Sequence, residues 1–455
     1  MASSTKDTLT SVPGRFLRIR LTRFRVVTAA ILGALALFAG ISIWRMRSLG
    51  DLPDIGDPFD VALARQAIKI PDADNAFEAY AKASLTPGDA PPEFWAERSN
   101  KQDALRWSTA KPASLAYLEK HRRALEIWRL GSERSDCLPH QPGELSVTTP
   151  INFVSESMVH AAMAALEGSR LEDAGKMAEA WDWYRAILRS SRLLGRHGVL
   201  VERHFGGYSH ELAVRRIVRW AADPRVDARM LRRALDQAIA ADRLTQPLSE
   251  VLKLEYLMIM RELKEMKVFP RDIPLPGGKE GLLENAIPMW SVGNRNEIQQ
   301  FRFRASNEPE RSRRAFRLIF ANWLSQVDKP AAKRARYASH AGVLIYDFDQ
   351  ASPPAARAVT PEELGRAIDE SLLAKLVLSQ DGTAVREYGY ASWEGNGGLA
   401  RERRRRSALL VKLAAELFLR EQGKPPAKAG ELLGSYLKEL PEGVKGDDPI
   451  PERVD

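Results

Sequence analysis

Nineteen uncharged residues follow one another from Val26 to Trp44, VVTAAILGALALFAGISIW. A hydrocarbon core about 30 Å thick takes roughly 20 helical residues to cross, so this run predicts one transmembrane helix. Farther along, apolar residues recur at three and four rather than two, which predicts helices nearly throughout. A short helix is expected over 62–69, and Asp74 then stands as the N-cap ahead of Ala76, Phe77, Tyr80 and Ala81. Leu115, Leu118, Leu125 and Trp128 give the apolar side of helices expected from about Pro112 to Leu130. The most regular stretch, 151–267, reads as successive helical hairpins. Helix resumes near Glu308, where Phe316, Leu318, Ile319, Phe320 and Trp323 supply core. Thr360-Pro361-Glu362-Glu363 combines a capping threonine, proline at the first helical position and acids where the dipole favours them, and predicts a helix to about Leu378. From Arg403 to Glu421, Leu410, Leu413, Ala414 and Leu417 form a core stripe, and Gly423 closes the end. Two pieces depart from this pattern: AGVLIYDFD over 341–349 suits a buried helix end or a strand, and 385–393 alternates loosely, as in a hairpin.

Proline and glycine set the partition. Residues 45–70 are rich in Asp and Pro and read as a stalk, 138–143 as a linker, and VFPRDIPLPGG over 268–278 cannot be helical. The expected order is a basic cytoplasmic segment 1–25, a span 26–44, a stalk with first helices 45–140, a central helical domain 151–267, a connection 268–300, a second helical portion 301–400 and a C-terminal helical module 401–455. The fold class is therefore mainly α: one N-terminal transmembrane helix, then a helical-hairpin exterior domain, solenoid-like or a bundle, with little or no sheet.

Charge orients the span. Lys6, Arg15, Arg18, Arg20, Arg23 and Arg25 precede it against Asp7 alone, whereas Arg45 and Arg47 after it face Asp51, Asp54, Asp57 and Asp60. The positive side stays cytoplasmic, so a single-pass protein of a cell inner membrane is expected, with the large C-terminal part extracytoplasmic. A cleaved signal peptide is the rival, through Ala34-Leu35-Ala36 or Gly40-Ile41-Ser42, but the basic segment and the apolar run are both long for one. Of the net charge of +9, residues 1–44 carry six cations and one acid, so the basic excess is mostly a topology signal and implies no specific nucleic-acid partner. Hydrophobic residues make up 44% of the chain, enough for a sizeable core, and the single cysteine, Cys137, allows no internal disulfide.

Short motifs carry resemblances. Gly168, Gly175, Ala180, Tyr184 and Leu188 resemble a single tetratricopeptide unit, in which small residues let two antiparallel helices touch while the tyrosine fills the groove. Shifting by 34 residues meets Glu202, Ser209, Val214, Val218 and Ala222, so the unit does not repeat, and a generic helical hairpin explains the same residues. IPDADNAFEAY near residue 70, FANWLSQVDKPAAKR near residue 320 and a C-terminal pattern of Gly423, Pro425, Leu432-Leu433, Tyr436-Leu437, Pro441 and Asp448-Pro449 resemble uncharacterised single-span membrane proteins of planctomycete bacteria. The C-terminal pattern is also similar to the end of the helical region in some pseudopilin-like proteins. Neither resemblance implies an activity.

Candidate chemistry is sparse. Ser108-Thr109-Ala110-Lys111 matches S-x-x-K, a nucleophile with its base one helical turn away, but lacks the Lys-Thr-Gly partner. Gly207-Tyr208-Ser209-His210-Glu211 is half a nucleophile elbow, with Glu where the last Gly belongs. Among metal-capable side chains, His197 and His204 on one helix would lie about 10.5 Å apart, too far to share an ion. Only His204 and His210, folded together across Gly206-Gly207, would converge. Asp347-Phe348-Asp349 would set two carboxylates on one strand face, with no nucleotide-binding pattern beside them. No catalytic, metal or cofactor site is assigned on these grounds. The clearest anomaly is Arg401, Arg403, Arg404, Arg405 and Arg406, crowding the positive end of a helix dipole with only Glu402 to compensate. Such a patch would suit an anionic lipid headgroup or wall polymer. The resulting expectation is a membrane-anchored binding or scaffolding module with protein partners; the alternative is an exported hydrolase acting on cell-envelope polymers.

Overall fold

The computed structural model describes residues 14–49, 52–85, 89–96, 105–146, 149–265, 308–350, 352–354, 356–371, 374, 378, 392–395 and 397–451. Residues 268–300 and the alternating stretch 385–391 lie outside them. Helix α1, Gly14–Leu49, is 36 residues long and contains the uncharged run. Along it Val26, Val27, Ile31, Leu32, Leu35, Leu37, Ile41, Ile43 and Trp44 are exposed. Among the described residues, no helix is long and apolar enough to cross a membrane.

The chain divides into two units, 1–53 with 277–311 and 54–276 with 312–455. From Asp54 onward the order is α2 (Val61–Ala64), α3 (Ala76–Lys82), α4 (Glu93–Ala96), α5 (Pro112–Lys120), α6 (Arg122–Ser132), α7 (Asn152–Asp173), α8 (Met177–Leu193), α9 (Leu200–Ala222), α10 (Ala228–Asp242), α11 (Leu248–Glu265), α12 (Glu308–Leu324), β1 (Tyr337–His340), β2 (Val343–Tyr346), α13 (Pro361–Glu370) and α14 (Gly398–Gln422). The chain is mainly helical, with a two-stranded sheet among the described residues.

Helices α7, α8 and α9 pack on one another, and their short connections make successive members antiparallel. Gly168 permits the α7–α8 contact: a Cβ there would lie 2.4 Å from Tyr184 Cε1, and Gly175, at φ +78°, turns the chain between the helices. Two of the buried indoles find partners within this packing. Trp181 Nε1 donates to Gln237 Oε1 at 2.6 Å, and Trp220 Nε1 to the Met177 carbonyl at 2.9 Å. Helix α14 returns from far along the sequence to pack on α9 and α10. One hydrophobic core consequently runs from Ala76 through the central helices to Leu417, Leu432 and Leu437. The expected segments 45–140, 151–267 and 401–455 share this core rather than each building its own.

Several element ends differ from their sequence reading, each for a local reason. Asn75, not Asp74, caps α3, its Oδ1 accepting from Phe77 N at 3.2 Å. The stretch 112–130 forms two helices, parted at His121 (φ −105°, ψ 15°). The capping box of Thr360 and Glu363 forms as expected, but α13 stops at Glu370 instead of reaching Leu378. The apolar run in 341–349 is strand. Val343–Tyr346 is wholly buried and pairs antiparallel with Tyr337–His340 through a two-residue turn at Ala341 (φ 48°) and Gly342 (φ 82°).

Side-chain amides complete segments that lack a strand partner. Asn322 Nδ2 donates to the Tyr346 carbonyl at 2.8 Å and its Oδ1 accepts from Tyr346 N at 2.9 Å, closing the free edge of β2. Gln141 does the same for Ile68 (3.0 and 3.1 Å), and Asn75 for Leu138 (2.8 and 3.3 Å). The stretch 138–143 is thus held to neighbouring segments. The expected stalk is also tied down at its end: Arg317 on α12 meets Asp54 at 2.7 Å and Asp57 at 3.1 Å, and Tyr256 on α11 donates to Asp57 at 2.5 Å.

Candidate functional site

Helix α14 begins at Gly398, three residues before Arg401 and five before the start expected at Arg403, with Gly397 at the N-cap. Arg403, Arg404, Arg405 and Arg406 therefore occupy the second and third turns, away from the dipole's positive end, with Arg401 in the first, and the arginines fan around the helix. Arg404 donates to the Gly395 carbonyl at 2.8 Å. Arg405 meets Glu211 of α9 at 2.5 Å, Arg403 meets Glu442 at 3.5 Å, and Arg406 donates to Asp242 and Thr245, both at 3.1 Å. Arg401 is half-buried and takes part in interactions of its own. The run is less a surface patch than one wall of an internal charge network.

Glu402 is the centre of that network. It is 4% exposed and receives Arg192 of α8, Arg203 of α9 at 3.5 Å and Arg406 of its own helix at 3.5 Å. Burial alone would raise its carboxyl, but Arg406, Arg192 and Arg203 outweigh that and hold it well below the usual carboxylate range. Burial pulls the Arg203 guanidinium down to about 10 against the opposing pull of Glu402, which leaves it charged at neutral pH. Arg192 also donates to His210 Nδ1 at 2.8 Å, and burial with the nearby guanidinium keeps that imidazole neutral.

Beside this network opens a cleft of about 320 Å³, at the small end of ligand pockets. It is lined by Arg203 of α9, Asp242, Thr245, Gln246, Pro247 and Leu248 of the α10–α11 junction, Val327 and Asp328 after α12, Leu399, Glu402, Arg403 and Arg406 of α14, and Glu442. Of the five arginines singled out in the sequence, Arg403 and Arg406 reach it.

The remaining sequence candidates do not converge. Ser108 lies in a 3-10 turn, Trp107–Thr109, while Lys111 is exposed and pairs with Glu93. Gly206 and Gly207 sit inside α9, so the chain does not fold back there and His204 and His210 stay on one continuous helix. His204 donates through Nδ1 to the Leu200 carbonyl and accepts at Nε2 from Ser392 Oγ, both at 2.8 Å, the tautomer this pairing requires. Ser209 is likewise helical, so no nucleophile elbow forms. His197 meets Asp136 at 3.0 Å, and Asp349 receives Lys329 at 2.5 Å and Gln326 at 2.8 Å. Among the described residues, no group of three or more His, Cys, Asp or Glu is placed to hold a metal ion. Cys137 is fully buried, and burial pushes its thiol up, an inert state.

Arg192, Arg203, Asp242, Asp328 and Glu442 escaped the sequence reading. A signal for the network exists, since Glu402 and Arg406 continue the spacing of Leu399, Leu409 and Leu413, and so place charges in phase with the apolar stripe. No family model matches the chain, and neither a curated protein nor a solved structure is significantly similar to it.

Proposed function

We propose that the chain is a membrane-anchored helical binding module, with residues 1–25 cytoplasmic, α1 as a single span and the domain from Asp54 onward outside, whose ligand site is the cleft beside Glu402. The observation that carries the binding reading is the cleft itself, a cavity lined from five separate segments beside a charge network. Hydrolysis is less well supported, because the pairs it would draw on, Ser108 with Lys111 and His204 with His210, face other partners. The anchor reading draws on the nineteen-residue run of the full sequence, and on the exposure of its large apolar side chains along α1. Exposed in water, such a row is costly; in lipid it is solvated. Reporter fusions that work only outside the cytoplasm should be active after residue 60 and silent before residue 20. The opposite pattern, or a mature soluble form starting near Leu37 or Ile43, would remove the anchor. In-cell crosslinking from intact membranes should capture a bound partner or ligand through a photoreactive residue at Gln246, and loss of capture on changing Arg403 would tie it to the cleft.

A further inference from the structure

We propose that the cleft takes a small zwitterion, its carboxylate on the guanidiniums of Arg203 and Arg403 and its ammonium between the carboxylates of Asp328 and Glu442. The inference rests on the binding-module reading and is independent of the membrane anchor. The two ends follow from which charges the protein already engages. Glu402 and Asp242 receive Arg192 and Arg406, so these four groups balance one another within the wall. Arg203 stands apart. Its side chain is 7% exposed, and its guanidinium carries five N–H donors and meets one carboxylate, Glu402, at 3.5 Å. Arg403 meets Glu442 at the same long distance, 3.5 Å. Both guanidiniums line the cleft with donors to spare, in the planar fork that matches a carboxylate. Beside them, Asp328 accepts only the Ser249 amide, at 3.2 Å, and the Glu442 carboxylate has its loose contact with Arg403 and the nearby charge of Arg406.

Two under-used cations and two under-used anions therefore face one small cavity. A dianion such as phosphate would be repelled by Asp328 and Glu442, and a bare cation by Arg203 and Arg403. A ligand that carries both charges leaves none of these groups uncompensated, which matters most where water is displaced. The cavity's volume, about 320 Å³, fits a molecule of amino-acid to dipeptide size and not a polymer strand or a lipid headgroup with its chains. The anion-binding role expected of the arginine run thus narrows to Arg403, acting with Arg203 of α9.

The test uses the full chain in detergent micelles, titrated with L-alanine, L-alanyl-L-alanine, N-acetyl-L-alanine, L-alaninamide and inorganic phosphate, read by melting temperature and calorimetry. At least one of the two zwitterions should bind and raise the melting temperature. The acetylated and amidated forms, each lacking one charge, should bind at least about ten-fold more weakly, as loss of a charge-assisted hydrogen bond implies. Asp328→Asn and Arg403→Gln, at partly exposed positions, should melt as the parent does and lose at least about ten-fold in zwitterion affinity. Phosphate or N-acetyl-L-alanine binding as tightly as the zwitterions would overturn the inference in favour of a plain anion site and leave the binding-module reading standing. Silence from all five compounds would overturn it outright, with the binding reading decided separately by the crosslinking experiment.

Discussion

Asn322, Gln141 and Asn75 show how much a single side chain decides here. Each amide sets a donor and an acceptor in the spacing of a peptide group, and each pairs both with the backbone of one residue of a distant segment. Replacing Asn322 by Leu would orphan the Tyr346 N–H and carbonyl in a buried site, at about 1–3 kcal/mol for each group. Urea denaturation should therefore show a loss larger than that of an ordinary surface substitution. Glu202 provides a second test. Burial pushes its carboxyl up to about 8 despite the Val199 amide that its Oε2 accepts at 2.6 Å, and the nearby Glu255 adds to the shift. The folded chain thus holds this proton at pH values where the unfolded chain has lost it. Glu202's contribution is fully present below the ordinary carboxylate range and is lost as pH rises through about 8. The Glu202→Gln variant should flatten the fall in stability between about pH 5 and pH 8, measured by denaturation at several pH values. An unchanged slope would show that another group carries it.

At the scale of elements, α14 is the piece the rest closes on. Its apolar stripe meets α9 and α10, and its first turns bring Glu402 against Arg192 and Arg203 from two other helices. Removing that one carboxylate leaves three guanidiniums without their shared partner, so Glu402→Gln should cost about 3–5 kcal/mol, the range for breaking a buried ion pair. Arg403→Gln is the control, since Arg403 and Glu442 form a loose pair with a half-exposed acid, and it should stay within about 1 kcal/mol of the parent. Chemical denaturation of both variants distinguishes the network from the cleft rim. The start at Thr360 with Glu363 and the end at Gly423, φ +70°, were readable, because each is decided by neighbours a few residues away. The early end of α13 was not, because no breaking residue marks it in the sequence.

At the scale of the molecule, Arg317 and Tyr256 hold the beginning of the folded unit through Asp54 and Asp57. Arg317→Ala should free the segment, and limited proteolysis should then cut within 54–60 while the far-UV signal stays helical. Protection equal to the parent's would mean that the Tyr256 contact suffices.

The sequence by itself determined the helical class, the apolar run and most helix starts, because periodicity, capping and turn chemistry act over a few residues and are written out in order. It also marked the arginine run as anomalous. Only the tertiary structure decided what the anomaly is, because the partners that engage the run and Glu402 within it, Arg192, Arg203, Glu211, Asp242 and Glu442, lie between 39 and 210 residues away along the chain. Burial assigns their roles: a carboxylate on a solvated helix face compensates little, whereas the same carboxylate enclosed among three guanidiniums fixes where three helices meet and which charges remain to face the cleft.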